Sequence, residues 1–237
     1  MAVDPSQLPT LPQALARLRQ RPVEVRGIVS LGAGRGDDTH VFLDAWPGSR
    51  ALLIDMDARF VPHYRELQIK FPTLAYDICG AAADDRVGYQ VKSDQFGGAI
   101  VSEKPASLDG VAETPFKRLD TLVREHALES PYFLKFDTHG AELEILAGAK
   151  EVLARTTFIM MEVYNFRLNF MQGKNLTFDE MSLHMKTLGF RVVDLISPLF
   201  RPGDAALWQM HLFFARSDHP TFGRNSYNPP KPAPSTT

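Results

Sequence analysis

The chain has 237 residues, 44% hydrophobic and 23% charged, with a formal net charge of −2 and a pI of about 6.4. That is a globular profile long enough for one large core, and it lacks the basic stripe that would mark a nucleic-acid partner. The single cysteine, Cys79, excludes a disulfide framework and a cysteine-based zinc site within one chain, and no apolar run approaches the roughly 20 residues of a membrane span.

Residues 1–10 carry Pro5, Pro9 and a polar set, read as an arm without the apolar core of a signal peptide, so a cytoplasmic location is expected. Leu11, Leu15 and Leu18 share one face of a short helix running to about Arg21. GIVSLG (27–32) reads as a buried strand and Thr39 to Trp46 as a helix. ALLID (51–55) is a second strand, with a helix from Ala58 to Lys70 after it, and TLAYDIC (73–79) is a third. Cys79, at the end of that run, reads as a small buried hydrophobe. YQVKSDQFGGAIVSEK (89–104) looks like an extra strand pair, forming a lid, an acceptor wall or a cover for a sheet edge.

A helix over 119–128 leads into the fourth strand, YFLKFD (132–137), and a helix over 141–153 follows it. TFIMMEV (157–163) is the fifth strand, and a helix over 178–188 precedes the sixth, FRVVDLI (190–196). Pro198, Pro202 and Gly203 lie before the seventh, QMHLFFA (209–215), so the last strand is expected to return antiparallel. The alternation predicts an α/β fold: a seven-stranded, mostly parallel sheet with helices on both faces, in one domain over 11–217. The proline-rich stretch 218–237 reads as a disordered tail, and its NPP at 228–230 carries no site.

In such sheets ligands bind beyond the carboxyl ends of the strands. After the first strand, LGAGRGDDTH places Gly32, Ala33, Gly34 and Gly36 in a tight turn, with Asp37 or Asp38 capping the next helix. Asp37 stands where a dinucleotide motif has its third glycine, and two acids disfavour a pyrophosphate there. Asp55, about 20 residues on, suits both hydroxyls of a ribose, whereas Asp57 caps the following helix. A small or polar residue among Asp77 to Ala82 would lie against an adenine. S-adenosylmethionine, whose sulfonium and amino group tolerate nearby acids, fits this set.

The fourth strand ends in LKFDTHGAELEIL (134–146), which puts Asp137, His139 and Glu142 at the mouth of a strand-to-helix turn through Gly140. The segment from Arg118 to Val163 resembles the FkbM-type S-adenosylmethionine-dependent methyltransferases. The matching residues are Leu119, Asp120 and Leu122; Lys135 and Asp137; Gly140, Ala141 and Glu142; Leu146, Gly148 and Ala149; and Glu162. With LTFDEMSLHMKTLGFRVVDL and the strand at 209–213, the resemblance covers about residues 25–216. It departs from the family pattern at Gly34 (commonly Asn), Asp55 followed by Met56 (usually Glu-Pro), His139 (often Glu or Gln) and His211 (often Asp). It implies a class I methyltransferase, Rossmann-like fold and methyl transfer to a hydroxyl oxygen of a small molecule or glycan, while composition and hydropathy argue for neither nucleic acid nor membrane as partner.

Such a transfer needs donor and acceptor in line, and a hydroxyl must lose its proton to a base or to a metal that lowers its pKa. Asp137 is a candidate for the cofactor's amino group, for the acceptor or for a metal. His139 is the candidate base, because its pKa lies near neutrality. Glu142 either complements the helix N-terminus or joins the catalytic set. Asp137, His139 and Glu162 could together hold magnesium. His184 reads as a surface or satisfied histidine, and the direction of His211 is open. Two other readings stand beside this one: a non-catalytic binding protein of the same fold, and a nicotinamide-dependent oxidoreductase, which lacks a Tyr-x-x-x-Lys pair at a suitable place.

Overall fold

The computed structural model describes residues 8–21, 23–91, 99–101, 111–168 and 175–227. In chain order the elements are α1 (Leu11–Arg19), β1 (Gly27–Leu31), α2 (Thr39–Ala45), β2 (Arg50–Asp55), α3 (Val61–Lys70), β3 (Ala75–Ile78), β4 (Gly80–Ala82), β5 (Arg86–Val91), β6 (Ala99–Val101) and β7 (Val111–Arg118). There follow α4 (Leu119–Glu125), β8 (Tyr132–Phe136), α5 (Glu142–Ala147), α6 (Lys150–Ala154), β9 (Thr156–Tyr164), α7 (Phe178–Thr187), β10 (Phe190–Phe200) and β11 (Leu207–Arg216).

Seven strands form one sheet in the order β10-β11-β9-β8-β1-β2-β3. The ladders from β3 through β2, β1 and β8 to β9 are parallel, and β11 runs antiparallel to both β9 and β10. This is the mostly parallel sheet with a reversed last strand that the alternation predicts. Side chains alternate across each strand, yet both faces are covered, so both sets are apolar. Val29, Leu31, Leu134 and Phe136 pack in the layer that includes α4 to α7 residues such as Leu122, Ile145, Val152 and Met185. Ile28, Leu53, Phe133 and Phe158 pack in the other layer, with Leu15 and Leu18 of α1, Phe42 of α2 and Tyr64 of α3. Cys79 is buried, and burial pushes its thiol pKa up to about 12, as an inert hydrophobe requires.

Two boundaries differ from the sequence reading, one inside the helix after β8 and one at the start of the tail. The helix read as 141–153 is two helices, α5 and α6, broken at Gly148 and Ala149. The carboxylate of Asp120, in α4, accepts hydrogen bonds from Glu151 N (3.2 Å) and Val152 N (2.9 Å), and so caps the start of α6 from outside. The extra strand pair exists as β5 and β6, antiparallel, within a second sheet of order β4-β7-β5-β6. Its lid or wall role falls on residues 92–98 and 102–110, outside the described residues. So do residues 1–7 of the arm and 228–237 of the tail, NPP included. No helix among the described residues is long and apolar enough to cross a membrane.

The stretch read as a disordered tail begins with structure. Pro220–Gly223 form a short 3-10 helix, Phe222 lies under the Arg191 guanidinium at 4.1 Å, and Arg21 donates to the Thr221 hydroxyl. His219 is 7% exposed, lies 5.9 Å from the Phe158 ring and accepts from Thr221 N at Nδ1. Burial holds its pKa below the usual 6.5. The fold therefore prefers the neutral ring, and the stability it contributes is present above 6.5 and lost as pH falls through the lower folded value. Between pH 7 and pH 5 this group is expected to lower the melting temperature. Thermal melts of His219→Asn should lack that increment.

Candidate active site

The carboxyl ends of β1, β2, β8 and β9 bring two clusters side by side. The first is the glycine turn. Gly32, Gly34 and Gly36 all have positive φ (65°, 56° and 75°). Gly32 N and Ala33 N both donate to Ile54 O, and Gly36 N closes the turn on Ala33 O. Ala33 is buried toward the α2 layer, so it offers a ligand its backbone only. Gly34 is held from both sides: its N–H donates to Asp55 Oδ2 at 2.8 Å, and its carbonyl accepts from the buried Tyr64 hydroxyl at 2.7 Å. Asp55 Oδ1 accepts from Asp57 N at 2.9 Å. Burial raises the Asp55 pKa, with the N–H groups of Asp57 and Gly34 pulling against it. Asp57 caps a 3-10 turn at Ala58–Phe60 through Arg59 N, as read from the sequence. Asp38 takes the N-cap position of α2 but makes no side-chain capping bond; its carboxylate lies 3.8 Å from Lys135 Nζ instead.

The second cluster is the corner at Asp137. Lys135 and Asp137 project to the same side of β8, and the buried Lys135 ammonium lies 3.1 Å from Asp137 Oδ2. His139, in the turn with φ of 49°, places Nε2 3.4 Å from Asp137 Oδ1 and 3.1 Å from Glu162 Oε2. Glu162, on β9, is fixed further by the Tyr164 hydroxyl on Oε2 (2.7 Å) and the Gln209 amide on Oε1 (2.7 Å). Burial pulls the His139 pKa down, but Glu162, Asp137 and Glu142 outweigh it and raise it. Burial alone would raise the Glu162 pKa, yet hydrogen bonds from His139 and Tyr164 hold it well below the usual carboxylate range. The ligand atoms of Asp137, His139 and Glu162 all lie within 4.8 Å of one another.

Other sequence candidates fall differently. Glu142 is buried, and its carboxylate faces its own turn, accepting from Gly140 N at 3.0 Å and the Thr138 hydroxyl at 3.1 Å. Asp77 is tied to Lys117 Nζ (3.2 Å) and His126 Nε2 (3.3 Å). His211 pairs in register with Glu162 across β9 and β11, and its Nδ1 is buried without a hydrogen-bond partner among the described residues. Burial lowers its pKa against the pull of Glu162 and Asp137. Tyr64 and Tyr164 were not singled out for the site by sequence reasoning, and Lys135 and Gln209 only as parts of motifs. A lysine at the centre of an apolar strand is the one signal that could have pointed here, since a buried ammonium needs a partner. A concavity beside Val25, Trp46 and Arg50 opens at the amino end of β1 and β2, away from this chemistry.

Comparison with known proteins bears on the fold and the family. The 2-O-methyltransferase NoeI of Sinorhizobium fredii (strain NBRC 101917 / NGR234) is 25% identical over 163 residues, which are 62% of this chain and 66% of that protein. The crystal structure of Methyltransferase FkbM from Methylobacillus flagellatus KT superposes with a TM-score of 0.52 at 13% identity, over 79% of this chain and 43% of that one. The chain thus spans just under two thirds of the first relative and less than half of the second, and the second likeness shows that the sheet is that of a class I methyltransferase. The Methyltransferase FkbM domain profile matches residues 27–192, from the first strand into the sixth, and the chain belongs to that family.

Proposed function

We propose that the chain binds S-adenosylmethionine at the glycine turn and transfers its methyl group to a hydroxyl oxygen of a small molecule or sugar seated at the Asp137 corner, the unit being residues 11–217. The observation that carries this is the adjacency of two built clusters. A glycine turn clamped by Asp55 and Tyr64 sits one strand from a carboxylate–imidazole corner fixed by Tyr164 and Gln209. The turn offers close backbone approach and Asp55 oxygens to a ribose. Acids at the rim suit a cationic sulfonium and amino group. In the transfer the acceptor oxygen bonds the methyl carbon, the carbon–sulfur bond breaks, and the hydroxyl proton leaves at the corner, either to a protein base or under the pull of a bound dication. Glu142 holds the turn that presents His139. Preference for oxygen draws support from NoeI, a 2-O-methyltransferase.

Calorimetric titration should show one site per chain for S-adenosylmethionine and S-adenosylhomocysteine. Methyl-labelled cofactor should then leave label on members of a panel of pyranosides and phenols, with release of S-adenosylhomocysteine. Binding of neither nucleoside would sink the reading. Binding without transfer to any acceptor would favour the non-catalytic alternative, and binding of a reduced nicotinamide cofactor the oxidoreductase.

A further inference from the structure

We infer that Asp137, His139 and Glu162 form a site for a divalent transition-metal ion, of the manganese type in preference to magnesium, that receives the acceptor hydroxyl. The inference rests on the methyl-transfer reading for its purpose but not for its test. The first ground is spacing. Two ligands at right angles around an ion, each at about 2.1–2.2 Å, lie about 3 Å apart. His139 Nε2 lies 3.1 Å from Glu162 Oε2 and 3.4 Å from Asp137 Oδ1. A single proton on Nε2 can lie along only one of those two lines. An ion between the three donors serves both carboxylates at once.

The second ground is charge. Among the described residues, Asp137, Glu162, Glu142 and Asp38 line this part of the rim against the ammonium of Lys135, so the corner carries excess negative charge for a dication to offset. The third is support around the donors. Tyr164 and Gln209 fix the Glu162 carboxylate, and Lys135 takes the Asp137 oxygen that faces away from His139. Metal sites orient their ligands with such outer hydrogen bonds. Finally, His211 Nδ1, buried beside Glu162 and without a partner among the described residues, is the atom that a water or hydroxyl on the ion would satisfy. One imidazole with two carboxylates selects the ion. Magnesium prefers oxygen donors and retains its waters, whereas manganese, iron or cobalt accept mixed nitrogen and oxygen sets. A bound ion would lower the pKa of the acceptor hydroxyl, so that the oxygen attacks the methyl carbon as an alkoxide and its proton passes to water.

The probe is Mn2+ alone, titrated into the EDTA-stripped full chain and followed by the loss of the free-ion electron paramagnetic resonance signal. One Mn2+ per chain should bind, with Mg2+ weaker. His139→Asn keeps a residue that tolerates positive φ. Glu162→Gln is the second variant, so that one remains should the other misfold. Each is expected to weaken Mn2+ by more than the roughly 10–100-fold typical of a residue that only orients a ligand. Equal affinity for Mg2+, or full binding by His139→Asn, would remove the imidazole from the site and overturn the choice of ion. No binding by the wild-type chain would overturn the site altogether. S-adenosylhomocysteine titrated in EDTA reads the cofactor half separately, so binding there without Mn2+ binding sinks the metal and leaves the methyltransferase reading standing.

Discussion

Gly32→Ala is expected to lower the melting temperature by about 10 °C and to abolish cofactor binding, a loss of about 4 kcal/mol at 2–4 °C per kcal/mol for a chain of this size. Two costs combine. The φ of 65° puts an L-residue in the left-handed region, at about 1–2 kcal/mol. A Cβ there would also lie 1.9 Å from the Asp137 carbonyl oxygen, and no side-chain rotation relieves a clash with backbone. Asp137 N donates to Leu31 O and Gly32 N to Ile54 O, so the clash pushes apart the strand ends that carry both clusters. Gly34→Ala is the control. Its φ of 56° carries the same conformational cost, but a methyl group there meets nothing within 4 Å. That variant should keep its melting temperature within about 4 °C of wild type. If the ligand approaches the backbone at Gly34, it should still lose affinity for S-adenosylhomocysteine. Parallel melts and titrations separate the two glycines. Equal melting temperatures for wild type and Gly32→Ala would refute the clash.

The seven strands of the main sheet, though not their order in it, were legible because burial on both sheet faces makes each strand a dense apolar run, and helical spacing separates the runs. The second sheet was only half legible. β4 is three small residues, Gly80–Ala82, and β7 contains Pro115, which reads as a breaker although it pairs with Val87. The division of α5 from α6 was invisible for another reason. Local sequence continues the helix through Leu146 and Val152, and the cap that starts α6 comes from Asp120, about thirty residues earlier in the chain. At the site, the residues at strand ends and in turns announced themselves by type: glycines, Asp55, Asp137 and His139. The residues that hold them did not. Tyr64 looks like one more core aromatic until its hydroxyl is seen on Gly34 O, and Tyr164 and Gln209 acquire meaning only when β9 and β11 pair. Glu142 shows the converse. Its type and position suggest chemistry, while its hydrogen bonds go to the turn that carries it.

Asp55 allows a sharper test than simple removal. Its two oxygens face different backbone donors, Oδ2 toward Gly34 N–H and Oδ1 toward Asp57 N–H. In Asp55→Asn one oxygen becomes an NH2 group, and either orientation sets that group against an N–H donor. Were Asp55 important only as a negative charge or as one acceptor for ribose, Asn would retain half its function and Ala none. Because it also holds the turn, the two variants should be close to equal. Each loses a hydrogen bond of a charged group, worth about 1.5–3 kcal/mol, and leaves the donor behind it unsatisfied in a partly buried place. The expected result is an affinity for S-adenosylmethionine and S-adenosylhomocysteine about 10–100-fold below wild type in both variants. Tyr64→Phe removes the clamp on the other side of Gly34 without touching any group that a ribose would meet. A smaller loss in the same direction there would show that turn geometry, and not contact with Asp55 alone, sets the affinity. Wild-type affinity in Asp55→Asn would show that the cofactor lies elsewhere on the rim, and the glycine turn would then be a structural corner between β1 and α2.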